Sequence, residues 1–179
     1  MQISMTKKIV GTALFAALSF VVSFLEFPIF PAAPFLKLDF SCVFSLLSGF
    51  IYGPVYGIVT VFVKELLRFI IGSGTGGVGE IANFLITSSF IILPTLVYKF
   101  RKGLKTVILT LFLAAVIQVI VSLIVNRYIN FPLYMNDSAK VMFEKLWNFI
   151  ALFNLIKAAA VSIVTILLYK RTSALIKRI

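Results

Sequence analysis

The chain reads as an all-α integral membrane protein, a six-transmembrane-helix bundle with both termini cytoplasmic. Three observations predict this. The 179 residues are 61% hydrophobic and only 13% charged, with a mean hydropathy of +1.10, whereas a soluble domain is about half apolar and about a quarter charged. Apolar runs recur along the chain, and a membrane-crossing helix needs about 20 such residues. The charges also segregate. Lys7, Lys8, Lys99, Arg101, Lys102, Lys105, Lys170, Arg171, Lys177 and Arg178 fall at one end of the expected bundle with no acid among them. All six acids, Glu26, Asp39, Glu65, Glu80, Asp137 and Glu144, fall in the other half. A Lys/Arg excess marks the cytoplasmic side, so the net charge of +11 calls for no nucleic-acid partner.

The elements follow in order. Lys7 and Lys8 precede an apolar run at 9–25, too long for a signal-peptide core and without a clean cleavage site, so it is expected to be a retained first helix. The segment "EFPIFPAAPFLK" has prolines at 28, 31 and 34 and is extended and stiff, yet apolar enough to pack on the protein. A short helix at 39–52 ends at the Gly53-Pro54 turn, and a third covers 55–71. The stretch "GSGTGGVGE" precedes a fourth helix at 80–98, with Pro94 as a candidate kink. A basic loop leads to the fifth at 106–125. Segment 126–146 is polar, with one amphipathic turn at most, and the sixth helix covers 147–169. The whole is one membrane domain, 1–179, surrounded by lipid in a bacterial plasma membrane. Any ATPase belongs to another chain.

Composition also excludes chemistry. One cysteine, Cys42, allows no intrachain disulfide. The absence of histidine and the scatter of the acids argue against zinc, cofactor-dependent or acid–base catalysis, so no catalytic residue and no metal ligand is assigned. "GSGTGGVGE" matches G-x-G-x-x-G, but Val78 and Gly79 stand where a phosphate-binding loop needs Lys and Ser/Thr, and a transmembrane helix, not a strand, precedes it. It is either a connector or a place where backbone amides approach a ligand beside a helix N-terminus.

Charges at the bilayer centre cost about 2.5–3.5 kcal/mol on insertion scales, so polar groups inside spans are candidates for function. Lys157 lies deep in the sixth helix, with Asn154 on the same face. Glu80 and Asn83 share a face of the fourth helix, and Asn126 and Arg127 close the fifth. No partner carboxylate is evident for Asn83, Asn126, Asn154 or Lys157, which suits a neutral polar ligand. Lys64, Glu65 and Arg68 on the third helix read as a structural network, with Glu65–Arg68 an i,i+3 pair. Phe27, Phe30, Phe35 and Phe40 either close over an aromatic ligand or rest on lipid. Ala13 and Ala17 give the small-xxx-small spacing of close helix packing, internal or to another membrane protein.

"FLKLDFSCVFSLLSGFIYGPVYGIVTVFVKELLRFII" followed by "GTGGVGEIANFL" resembles the riboflavin-specific substrate-binding subunits (S-components) of energy-coupling-factor transporters over about residues 35–84, and "FNLIKAA" fits the same family. The resemblance implies capture of riboflavin, a transported ligand and not a cofactor, from outside for ATP-driven uptake. It implies a site from Leu38, Glu80, Asn83, Asn126, Asn154 and Lys157 beneath a loop containing Phe35, Lys37, Asp39 and Phe40. It also implies that Ala13 and Ala17 dock a transmembrane coupling subunit served by two cytosolic ATPases. The alternatives are an S-component for another vitamin or a small self-contained secondary transporter, although no internal repeat supports the latter.

Overall fold

The computed structural model describes the backbone of residues 4–176 and side chains up to residue 169. Lys177 and Arg178 lie outside the described residues. The order is α1 (Met5–Ser23), β1 (Phe27–Pro28), β2 (Lys37–Leu38), α2 (Ser41–Tyr52), α3 (Pro54–Gly72), α4 (Val78–Phe100), α5 (Leu104–Val125), a π-helical turn (Asn126–Asn130), α6 (Phe131–Met135), a 3-10 turn (Asn136–Ser138) and α7 (Ala139–Ile176). Three described segments are long and apolar enough to cross a membrane: Met5–Ser23, Val78–Phe100 and the helical stretch Leu104–Tyr169. α2 is shorter, and α3 carries Lys64, Glu65 and Arg68.

Local chemistry sets the ends. Ser4 caps α1 by accepting from the Lys7 backbone N–H. Gly53, at φ +111°, makes the corner between α2 and α3, and Pro54 opens α3 where its missing N–H costs nothing. Pro94 is buried within a continuous α4. The segment expected to be mostly irregular, 126–146, is helical almost throughout: the π turn and α6 continue α5, and α7 begins at Ala139, ahead of the expected 147. Pro132 is tolerated because it falls in the first turn of α6.

Two apolar clusters hold the bundle. The larger joins α2, α3, α4, α5 and α7 through Leu46, Val61, Phe90, Ile91, Leu111 and Val161. The smaller seats Ala33, Leu36 and Leu38 of the first loop on Phe131, Phe143, Ile150 and Phe153. The proline-rich loop therefore packs on the protein because its own apolar residues are buried there. At the end of the bundle away from that loop, Tyr98 and Tyr169 share a buried hydrogen bond of 3.0 Å beside Phe50.

α2 and α3 cross closely. A Cβ on Gly57 would meet the Gly49 Cα and the Ser45 carbonyl oxygen, both at 3.1 Å. These are backbone atoms and cannot rotate away. Gly57→Leu is expected to cost about 1–3 kcal/mol through overpacking, seen as a lower midpoint of thermal unfolding in detergent. An unchanged midpoint would show that the two helices have room to separate.

Candidate functional site

A cavity of about 520 Å³ opens between the first loop, the neighbouring parts of α3, α4 and α5, α6, and the middle of α7. That is within the roughly 300–1,000 Å³ typical of small-molecule sites. Its lining mixes apolar and aromatic residues (Phe35, Leu36, Phe131, Tyr134, Met135 and Phe153) with amides (Asn83, Gln118, Asn126, Asn130 and Asn154) and charged groups (Glu26, Lys37, Asp39, Lys64, Arg68, Glu80 and Lys157).

The first loop becomes a roof through a two-residue antiparallel ladder, Phe27 opposite Leu38 and Pro28 opposite Lys37. Alternation along β2 sends neighbouring side chains to opposite faces. Lys37 therefore lines the cavity, while Leu38 is buried in the smaller apolar cluster and does not. Phe40 packs against both apolar clusters and also stays out of the lining. Of the residues expected at the site, Phe35, Lys37, Asp39, Glu80, Asn83, Asn126, Asn154 and Lys157 line it. Ala13 and Ala17 face outward on α1, whereas Thr12 and Ala16 are buried.

The ionic network differs from the sequence expectation in two places. Lys157 has a carboxylate partner: its Nζ donates to Asp39 Oδ2 at 2.7 Å. The two are 118 residues apart in the chain, so no local spacing announces the pair. Asp39 also accepts from the Ser41 backbone N–H at 2.8 Å and from the Ser41 hydroxyl. Lys64 in turn donates to Ser41 Oγ at 3.4 Å and pairs with Glu65 at 2.5 Å. Second, Arg68 pairs with Glu26, not with Glu65. Its two terminal nitrogens each reach a Glu26 oxygen at 3.1 Å, and Nη1 also donates to the Ser23 carbonyl at 2.8 Å. A forked guanidinium–carboxylate contact is stronger and more directional than a single-point pair along one helix. Burial works to raise the Glu26 carboxyl, but hydrogen bonds and charge from Arg68 and Lys37 hold it below the ordinary carboxylate range.

The glycine stretch is knit together by side chains. Ser73 Oγ accepts from the Thr75 and Gly77 backbone N–H groups at 3.1 and 3.0 Å, and Thr75 Oγ1 accepts from that of Gly79 at 3.1 Å. Both hydroxyls donate to Glu80, at 2.8 and 2.7 Å, in the first turn of α4, where a carboxylate also suits the helix dipole. Three amides of this stretch, those of Thr75, Gly77 and Gly79, are thus already used. Gly76 and Gly77, at φ +60° and +94°, supply the left-handed backbone that the turn requires. Gly74, Thr75 and Gly79 reach the cavity wall.

Sequence reasoning missed Gln118, Asn130 and Thr87 in the lining. A signal was there: Gln118, Ser122, Asn126 and Asn130 recur every four residues, one polar stripe on an otherwise apolar helix.

Fold and cavity together define a membrane protein with a cavity of small-molecule size. The chain belongs to the substrate-specific components of ECF transporters, whose family model matches residues 7–169. These are transport components, and the chain is not an enzyme. A solved structure described as the S component of a bacterial ECF transporter superposes with a TM-score of 0.85 at 38% identity, covering 97% of this chain and 99% of that one. The riboflavin transporter RibU of Staphylococcus aureus (strain TCH60) is 37% identical over 184 residues, covering 100% of this chain and 97% of that protein. The riboflavin transporter FmnP of Bacillus subtilis (strain 168) is 31% identical over 174 residues, covering 91% and 90%.

Removing one partner of a buried ion pair leaves an uncompensated charge, at a cost of about 3–5 kcal/mol. Asp39→Ala and Lys157→Met are each expected to lower thermal stability by that order, while the double variant loses less than the sum. Strict additivity would show that the pair contributes nothing as a pair.

Proposed function

We propose that the chain captures riboflavin from outside the cell and delivers it to an ATP-driven ECF transporter. The observation that carries this reading is a small-molecule cavity lined by aromatic rings and amides in a chain whose full-length relatives are named riboflavin transporters. Riboflavin has a flat apolar ring system, an edge of carbonyls and ring nitrogens, and a hydroxylated chain. The aromatic residues of the cavity suit the ring, and the amides and Lys157 suit the heteroatoms. In this reading Asn126, Asn154 and Lys157 hydrogen-bond the vitamin, Phe35 covers it, and Glu80 and Asn83 stand at the mouth.

The same proposal places six spans in a bacterial plasma membrane, with both termini in the cytoplasm and the cavity facing outward. The segregation of basic from acidic residues supports that orientation. Outward-facing Ala13 and Ala17 offer a close-packing surface to a transmembrane coupling subunit, which would bring two cytosolic ATPases.

Protein purified from riboflavin-containing cells is expected to be yellow and to release flavin fluorescence on denaturation. Asn154→Ala is expected to weaken riboflavin binding by about tenfold, the order of one lost hydrogen bond, with little change in folded yield. Asn154 is a cleaner probe than Lys157, whose loss would also strand Asp39. A colourless preparation that fails to bind added riboflavin would refute the vitamin assignment and leave an S-component for another vitamin. Flavin uptake into vesicles lacking any ATPase would instead favour a self-contained secondary transporter. For docking, Ala13→Leu with Ala17→Leu is expected to abolish uptake in cells while purified protein still binds riboflavin. Normal uptake would free this face of the role.

A further inference from the structure

The cavity's two buried asparagines are held by the same device. Asn154 Nδ2 donates to the Ile150 carbonyl, one turn earlier, at 2.9 Å. A backbone carbonyl can only accept, so the atom facing it must be the amide nitrogen. The Asn154 oxygen is then the other atom, and Gln118 Nε2 donates to it at 3.2 Å. Asn126 repeats the pattern: Nδ2 donates to the Ser122 carbonyl at 2.8 Å, and Asn130 Nδ2 donates to Asn126 Oδ1 at 2.9 Å. Each asparagine thus has one N–H and its oxygen engaged by protein, leaving the second N–H for the cavity it lines.

Gln118 and Asn130 complete this arrangement at a cost to themselves, since Gln118 Oε1 and Asn130 Oδ1 are buried without a hydrogen-bond partner. Leaving such an acceptor unpaired costs about 1–3 kcal/mol. A side chain needed only to fill space on α5 could be apolar. The π-helical turn at Asn126–Asn130 sets the second pair, and such turns often occur at functional sites.

We propose that Gln118 and Asn130 are positioning residues that fix the amide orientation of Asn154 and Asn126, so that this wall offers hydrogen-bond donors and selects a ligand edge of acceptors. The inference rests on the reading that riboflavin, whose ring edge carries carbonyl and ring-nitrogen acceptors around a single N–H, occupies this cavity. Neither residue needs to touch the ligand. Each acts through its asparagine.

The test is a pair of double-mutant cycles read by quenching of riboflavin fluorescence on the purified full-length protein. Gln118→Leu should raise the Kd about tenfold in the wild-type background and not further in an Asn154→Ala background. Asn130→Ala should do the same with respect to Asn126→Ala, and this cycle decides if Gln118→Leu does not fold. Equal losses in both backgrounds, or no loss in either, would overturn the positioning role. Wild-type affinity in Asn154→Ala and Asn126→Ala themselves would instead remove the ligand from this wall, and the proposal with it.

Discussion

An ammonium group inside an apolar helix bundle needs a counter-charge within reach, and here that constraint organises the site. Lys157 projects from α7 and meets Asp39, which sits just ahead of α2 at the end of the first loop. One contact therefore ties the roof of the cavity to its wall. Ser41 extends the contact to Lys64, and Lys64 to Glu65, so α2, α3 and α7 share one buried chain of alternating charges. Arg68, Glu26 and Lys37 form a second cluster at the rim. With the charges paired this way, the amides remain as the cavity's neutral recognition groups, which suits an uncharged ligand.

The glycine stretch shows how one composition can mislead in two directions. Five glycines in nine residues suggest either a phosphate cradle or a loose joint. Ser73, Thr75 and Glu80 decide the matter by hydrogen-bonding the turn to itself and to the first turn of α4. Glycine is needed there for backbone angles, at Gly76 and Gly77, and the polar residues between the glycines give the segment its order.

Helical class and family were legible in the sequence because both rest on local information: long apolar runs, and the continuous motifs from Phe35 to Phe84. Lys157 and Asn154 stood out because charge and amide are costly within an apolar helix. What stayed hidden was pairing between distant segments. Asp39 and Lys157 lie 118 residues apart and Glu26 and Arg68 lie 42 apart, whereas the expected Glu65–Arg68 pair was a guess from helical spacing. The helical course of 126–138 was masked by Pro132 and by polar residues, of which Asn126, Asn130 and Tyr134 line the cavity while Asn136 and Asp137 stay exposed. Leu38 stays outside the cavity lining because a two-residue ladder, too short to predict, decides which face of β2 meets the cavity.

A structure determined after adding riboflavin to the purified protein shows most directly whether the vitamin lies between the first loop and the amides of α5 and α7. The expected result is flavin beneath Phe35 and Leu36, with its heteroatoms within hydrogen-bonding distance of the Asn126, Asn154 and Lys157 nitrogens. Flavin bound elsewhere on the protein, or in this cavity with its apolar edge against those nitrogens, would contradict it.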